Sequence, residues 1–257
     1  MTPVSKVKIF GERNTSTNAL KQVIEQNASA RVLPSVAPEC DPRFAARLAR
    51  MKRLHLPIGM QEWQTDRVFA KAPDAHAWKH AATDFSDVRA FSDTLVVFCT
   101  RHPASWLLGL YKRPYHNLAP GLPTLPGFVA GPWKTVGRER MAGITTTPTA
   151  LYNLKLQSYV RMQAALDAAR IPHVTIRHED FAMDQRACFD RLRPHLSGVT
   201  PDFRPLDTST KDAGKSVDHY RDYYGRELWR AEIDPVTAQS IQDTIDWPTA
   251  AAFGYQP

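Results

Sequence analysis

Apolar positions along the chain follow two rhythms. Val7-Lys-Ile-Phe10, Thr94-Leu-Val-Val-Phe-Cys99 and His173-Val-Thr-Ile-Arg177 read as strands. The second is a continuous apolar run, the pattern of a parallel strand covered on both faces. Elsewhere apolar residues recur three and four positions apart. Leu20, Val23 and Ile24 predict a helix over 17–27. Leu151, Leu154, Tyr159, Met162 and Leu166 predict a long helix over 149–170, ended by Ile171-Pro172. Pro103 suits the first turn of another. Further helices are expected over 42–51, over 184–196 with Pro194 closing it early, over 218–229 and over 235–245. The rest of 32–73, rich in Pro and Arg, shows no clear period, and 114–141, with several prolines and glycines, reads as a long loop or lid.

Strands alternating with helices imply a parallel sheet covered on both sides. The expectation is an α/β fold, P-loop-like, in three layers with a central parallel sheet flanked by helices, as one domain over 1–257. Such sheets bind ligands at the carboxyl ends of their strands. That brings together the loop after Phe10, the turn after Cys99 and the segment after Arg177.

Composition narrows the picture modestly. Hydrophobic residues make up 43% and charged residues 23% of the 257, ordinary values for a globular chain. No apolar run approaches the roughly 20 residues of a membrane helix, so no membrane span is expected. The first residues show no apolar signal core, and a cytoplasmic protein is expected. Cys40, Cys99 and Cys188 are scattered singly, with no metal-ligand spacing. The net charge of +7 points to an anionic partner: nucleic acid, an anionic lipid surface or a phosphorylated small molecule. The basic residues are dispersed, which gives nucleic acid little support.

Four segments carry chemistry. Gly11-Glu-Arg-Asn-Thr-Ser-Thr-Asn18 joins a strand to a helix and suits phosphate binding through backbone N–H groups and the helix N-terminus. On the Gly-x-x-x-x-Gly-Lys-Ser/Thr template its last three positions are Ser16, Thr17 and Asn18. It therefore lacks the phosphate lysine and the hydroxyl that holds Mg²⁺. The same residues also read as a well-capped helix start, with Thr15 or Ser16 as the cap. In Thr100-Arg-His-Pro103 an arginine leaving a buried strand is placed to grip an oxyanion, or to pair with a carboxylate at the rim. Lys79 and His80, adjacent in Ala77-Trp-Lys-His80, can supply a cation and a general base. Other histidines in polar contexts, His76, His102 and His116, read as merely exposed. In Arg177-His-Glu-Asp-Phe181, Glu179 and Asp180 read more readily as structural carboxylates than as a catalytic pair.

Taken in order, these segments resemble the sulfotransferase superfamily, especially bacterial members whose first loop is similar to Gly-Glu-Arg-Asn-Ser-Gly-Thr-Asn. Thr100-Arg-His-Pro103 resembles the family's Arg-x-Pro, and Trp78-Lys-His80 its Trp-Lys-His. Ile176-Arg-His-Glu-Asp-Phe181 resembles Arg-Tyr-Glu-Asp-Leu, and Leu151-Tyr-Asn-Leu-Lys155 and Phe253-Gly-Tyr255 have counterparts too. The chain departs from the pattern at Thr15 and Ser16, which stand for the usual Ser and Gly. Gly109 stands for a serine eight residues after the arginine, with Ser105 one turn earlier, and Lys211 and Gly214-Lys215 only echo a late Arg-Lys-Gly loop.

The resemblance implies transfer of a sulfuryl group from 3'-phosphoadenosine-5'-phosphosulfate to a hydroxyl of a small molecule or carbohydrate, without a metal. It implies His80 as base, with Glu12 as runner-up, and Lys79 and Arg13 neutralising charge on the leaving oxygen. Asn14, Thr15, Ser16, Thr17 and Asn18 would hold the 5'-phosphate, and Arg101, with Ser105 or Lys215, the 3'-phosphate. The lid over 114–141 would shape the acceptor pocket, with Trp106, Tyr111, Tyr115 and Trp133 as apolar walls or as core. A nucleotide-dependent small-molecule kinase and a non-catalytic adenine-nucleotide-binding relative are the alternatives. The acceptor and the oligomeric state are not legible.

Overall fold

The computed structural model describes residues 3–114, 124–141, 143–208 and 214–257. Its elements are β1 (Lys6–Gly11), α1 (Thr17–Asn27), β2 (Arg31–Val32), α2 (Ala37–Cys40), α3 (Pro42–Arg53), α4 (Ile58–Ala70), β3 (Thr94–Thr100), α5 (Pro103–Lys112), α6 (Leu125–Ala130), β4 (Trp133–Lys134), β5 (Thr145–Thr146), α7 (Pro148–Ala168), β6 (His173–Arg177), α8 (His178–Met183), α9 (Gln185–Leu192), α10 (Val217–Gly225), α11 (Pro235–Thr244) and α12 (Trp247–Ala251).

The main sheet has the order β2-β1-β3-β6 and every pairing is parallel. Successive side chains of a strand face opposite ways, and here both faces are apolar. Val7, Ile9, Leu95, Val97 and Cys99 pack in one core with α1 and α9, while Phe10, Val96 and Phe98 pack in another with α5 and α7. That explains the unbroken run of β3, whose seven residues are all buried. The expected three-layer α/β fold with a central parallel sheet is what the chain adopts.

Two sequence expectations change. The stretch over 114–141 is not simply a loop. Residues 115–123 lie outside the described part, with Tyr115 and His116 among them, but α6 follows, and β4 pairs antiparallel with β5. Trp133 and Trp106 are fully buried core side chains, and the Tyr111 ring packs tilted against Phe128 at 5.6 Å. Neither tryptophan lines a cavity described below. In α7, Leu151, Tyr159, Met162 and Leu166 are buried as expected, whereas Leu154 is exposed.

Candidate active site

The loop leaving β1 begins at a glycine for a steric reason. A Cβ on Gly11 would stand 2.6 Å from the Cys99 carbonyl oxygen and 2.8 Å from Thr15 Oγ1, distances no side chain tolerates. The loop then passes through two left-handed non-glycine residues, Asn14 (φ 65°) and Ser16 (φ 63°). Thr15 Oγ1 donates to the Glu12 carbonyl at 2.5 Å, closing the turn. Ser16 precedes α1 yet does not cap it, because its hydroxyl turns to His178 Nδ1 at 2.7 Å. The first turn of α1 thus lacks a side-chain cap, and such N–H groups and the helix dipole attract an anion.

Cations arrive from other elements. The Gly11 N–H donates to the Lys79 carbonyl at 2.8 Å, which lays residues 79–80 along the end of β1. Lys79 Nζ donates to Asn18 Oδ1, so the ammonium missing from the loop comes from this neighbouring segment. Burial pulls the Lys79 amine down to about 8, with Glu39 opposing and Arg13 assisting. His80 Nδ1 lies 2.5 Å from the Gly11 carbonyl. A carbonyl only accepts, so Nδ1 carries the proton and Nε2 is the basic nitrogen. Burial, then Lys79 and Arg13, hold the imidazole well below its usual pKa. It is neutral at pH 7.

Arg101, at the end of β3, is also buried and held in one pose. Its Nε donates to Ser105 Oγ at 2.9 Å, its terminal nitrogen to the Asn14 carbonyl at 3.0 Å, and the guanidinium lies 5.3 Å from the Tyr224 ring. The missing side chain at 109 makes room for it: a Cβ on Gly109 would be 2.9 Å from that same nitrogen. Ser105 is wholly buried beneath Arg101 and lines neither cavity. Its hydroxyl positions the arginine. Tyr152 donates to the Arg101 carbonyl at 2.7 Å, and Glu179 accepts the His102 N–H at 2.9 Å, the structural role expected of that carboxylate.

Two cavities open on the loop. One, of about 310 Å³, is reached by Arg101, Lys215, His178, Tyr220 and Tyr224. The other, of about 380 Å³, is reached by Arg13, Lys79, His80 and Trp78. Asn14, Ser16, Ala19 and Arg113 belong to both. Of the expected site residues, Arg101 and Lys215 reach only the first cavity, Arg13, Thr17, Asn18, Lys79 and His80 only the second, Asn14 and Ser16 both, and Thr15 neither. Lys211 lies outside the described residues.

Glu12 faces away from the loop's open side and is buried. Its carboxylate points inward to Lys155 Nζ at 3.0 Å, and Glu139 meets the same nitrogen at 3.2 Å; all three side chains are nearly or fully buried. Burial raises the Glu12 pKa against the pull of Lys155. Glu12 lines neither cavity. Lys155 also donates to the His80 carbonyl, tying α7 to the segment that carries the imidazole. His178, Tyr220 and Tyr224 were not singled out from the sequence; they come from α8 and α10, and only the three-dimensional fold brings them to the loop.

The fold and site together define an α/β protein with an anion-receptive turn at the carboxyl edge of a parallel sheet. No family model and no curated protein matches the chain. Among solved structures it is similar to the sulfotransferase domain from the Synechococcus PCC 7002 olefin synthase, at a TM-score of 0.49 and 13% identity, covering 100% of this chain and 97% of that one.

Proposed function

We propose that the chain is a sulfotransferase that uses 3'-phosphoadenosine-5'-phosphosulfate and sulfates a hydroxyl. The observation that carries this reading is the partition formed by residues 14–19. A cavity with Arg101 and Lys215 lies on one side, and a cavity with Lys79 and a neutral His80 on the other. A donor with two anionic ends fits that division. The uncapped first turn of α1 would receive the 5'-phosphate, and Arg101 and Lys215 the 3'-phosphate.

The donor supplies an electrophilic sulfur and a phosphate leaving group. Asn14 to Asn18 orient it, and Lys79 and Arg13 neutralise charge growing on the oxygen that departs as the acceptor O–S bond forms. His80 Nε2 takes the proton from the acceptor hydroxyl, since Nδ1 is committed to Gly11. The fixed cations would do the work that Mg²⁺ does in phosphoryl transfer.

The test compares thermal stabilisation by 3'-phosphoadenosine-5'-phosphate with that by ATP and Mg²⁺. A ligand at 100 times its Kd stabilises by about 2.7 kcal/mol. The desulfated nucleotide is expected to raise the midpoint and ATP to do little. Stabilisation by ATP with Mg²⁺ alone rejects the assignment and favours a kinase.

A further inference from the structure

Residues 41–73 hold seven Lys and Arg against three Asp and Glu, so more than half of the chain's net charge of +7 arises in one helical hairpin, α3 and α4. Of the three acids only Asp41 offsets it on the outside. Asp41 caps α3 and pairs with Arg47, while Glu62 and Asp66 turn inward to the buried Arg138. On α3, Arg43, Arg47 and Arg50 lie at i, i+4 and i+7 with Arg53 beside them, all exposed, and Phe44, the buried residue of this helix, lies beside Arg47, whose guanidinium is 5.8 Å from its ring.

The hairpin is also where apolar side chains leave the core. Among the described residues eight large hydrophobics are exposed, and four of them cluster here: Leu54 at 56%, Ile58 at 44%, Met60 at 46% and Trp63 at 53%. Leu54 continues the arginine stripe by one turn, and Ile58 opens the next helix. Met60, Trp63 and Arg67 form a stripe on α4, with the Arg67 guanidinium 4.7 Å from the Trp63 ring. α4 buries no residue at all. Neither of the two cavities is lined by a residue of the hairpin.

The geometry points to this hairpin as a docking surface for an anionic lipid bilayer. Lys and Arg beside exposed Trp, Leu and Ile on short helices are the composition of a segment that lies in the headgroup region. Each basic residue near such a surface contributes about 1 kcal/mol, and the apolar side chains supply the part that salt does not screen. Nucleic acid gives no reason for the exposed aliphatic side chains of Leu54, Ile58 and Met60. The surface is independent of the reaction proposed above.

The full chain is tested by co-sedimentation with phosphatidylcholine vesicles, alone or carrying about a third phosphatidylglycerol. Selective retention on the anionic vesicles is expected. Arg43→Gln/Arg50→Gln/Arg53→Gln is expected to lower partitioning by about 100-fold, and Met60→Ser/Trp63→Ser to make the remaining binding fully salt-sensitive. Circular dichroism checks that these exposed substitutions leave the fold intact. Retention that ignores lipid charge, or variants that bind like the parent, overturns the proposal. So does binding to an acidic protein or to RNA with no vesicle binding.

Discussion

His80 can accept a proton at only one of its two nitrogens, because the Gly11 carbonyl holds the other N–H. Its pKa lies well below 6.5, so the basic form is present at neutral pH and is lost only as pH falls through that lower value. Lys79 runs the other way: charged below about 8, it loses its proton above. The kcat/KM profile is therefore expected to hold level across neutrality, fall on the acid side below pH 6.5, and fall on the alkaline side near 8. With the anionic donor bound, the alkaline limb of kcat should move upward. His80→Asn is expected to cost about 10²–10⁴-fold in turnover while leaving calorimetric affinity for 3'-phosphoadenosine-5'-phosphate intact; undiminished turnover removes His80 from the chemistry. Ser16 sets two effects against each other. A left-handed non-glycine residue costs roughly 1–2 kcal/mol, and its bond to His178 returns about 0.5–1.5 kcal/mol. Ser16→Gly should thus leave urea stability within about 1 kcal/mol of the parent, whereas Ser16→Ala keeps the strain and loses the bond.

At the scale of elements, the sequence pattern located the strands and helices that carry the partition, because those are long, periodic and buried. The continuous run of β3, the period over 17–27 and Pro103 at the head of α5 each report one physical constraint. α4 escaped notice since it buries nothing and so has no apolar stripe to read. β2 is two residues long, too short for alternation. Chain order could not show that Glu12 faces inward, because its partners Lys155 and Glu139 lie more than a hundred residues away. Lys155→Met strands two buried carboxylates and is expected to destabilise by about 3–5 kcal/mol. Lys155→Met/Glu12→Gln/Glu139→Gln should recover much of that in the same urea titration. Arg138 clamps the α3–α4 hairpin through Glu62 and Asp66 and lies 4.6 Å from the Trp78 ring. Arg138→Ala is expected to speed amide exchange across 42–70 while β1 and β3 stay protected.

At the scale of the whole molecule, one lysine is built into the interior of the central sheet. Lys8 is fully buried, donating to the Pro34 and Ala77 carbonyls at 2.8 and 2.6 Å. Burial lowers its pKa to about 7 from 10.5. A neutral amine still offers two N–H donors, so both bonds survive deprotonation. Between pH 7 and 10.5 the unfolded chain binds the proton and the folded chain does not, so stability should rise with pH in that window. The thermal midpoint is expected to increase from pH 7 to 9, and Lys8→Met to flatten the slope. An unchanged slope in the variant places the effect elsewhere.

Asn14, Ser16, Ala19 and Arg113 face both cavities, which makes the partition a common wall and not a spacer. Any coupling between two guests that touch these same four residues is symmetric. By whatever factor a nucleotide on the Arg101 side tightens or loosens an acceptor on the His80 side, the acceptor alters nucleotide affinity by that same factor. Titrating either one in the presence of the other measures a single free energy from two directions.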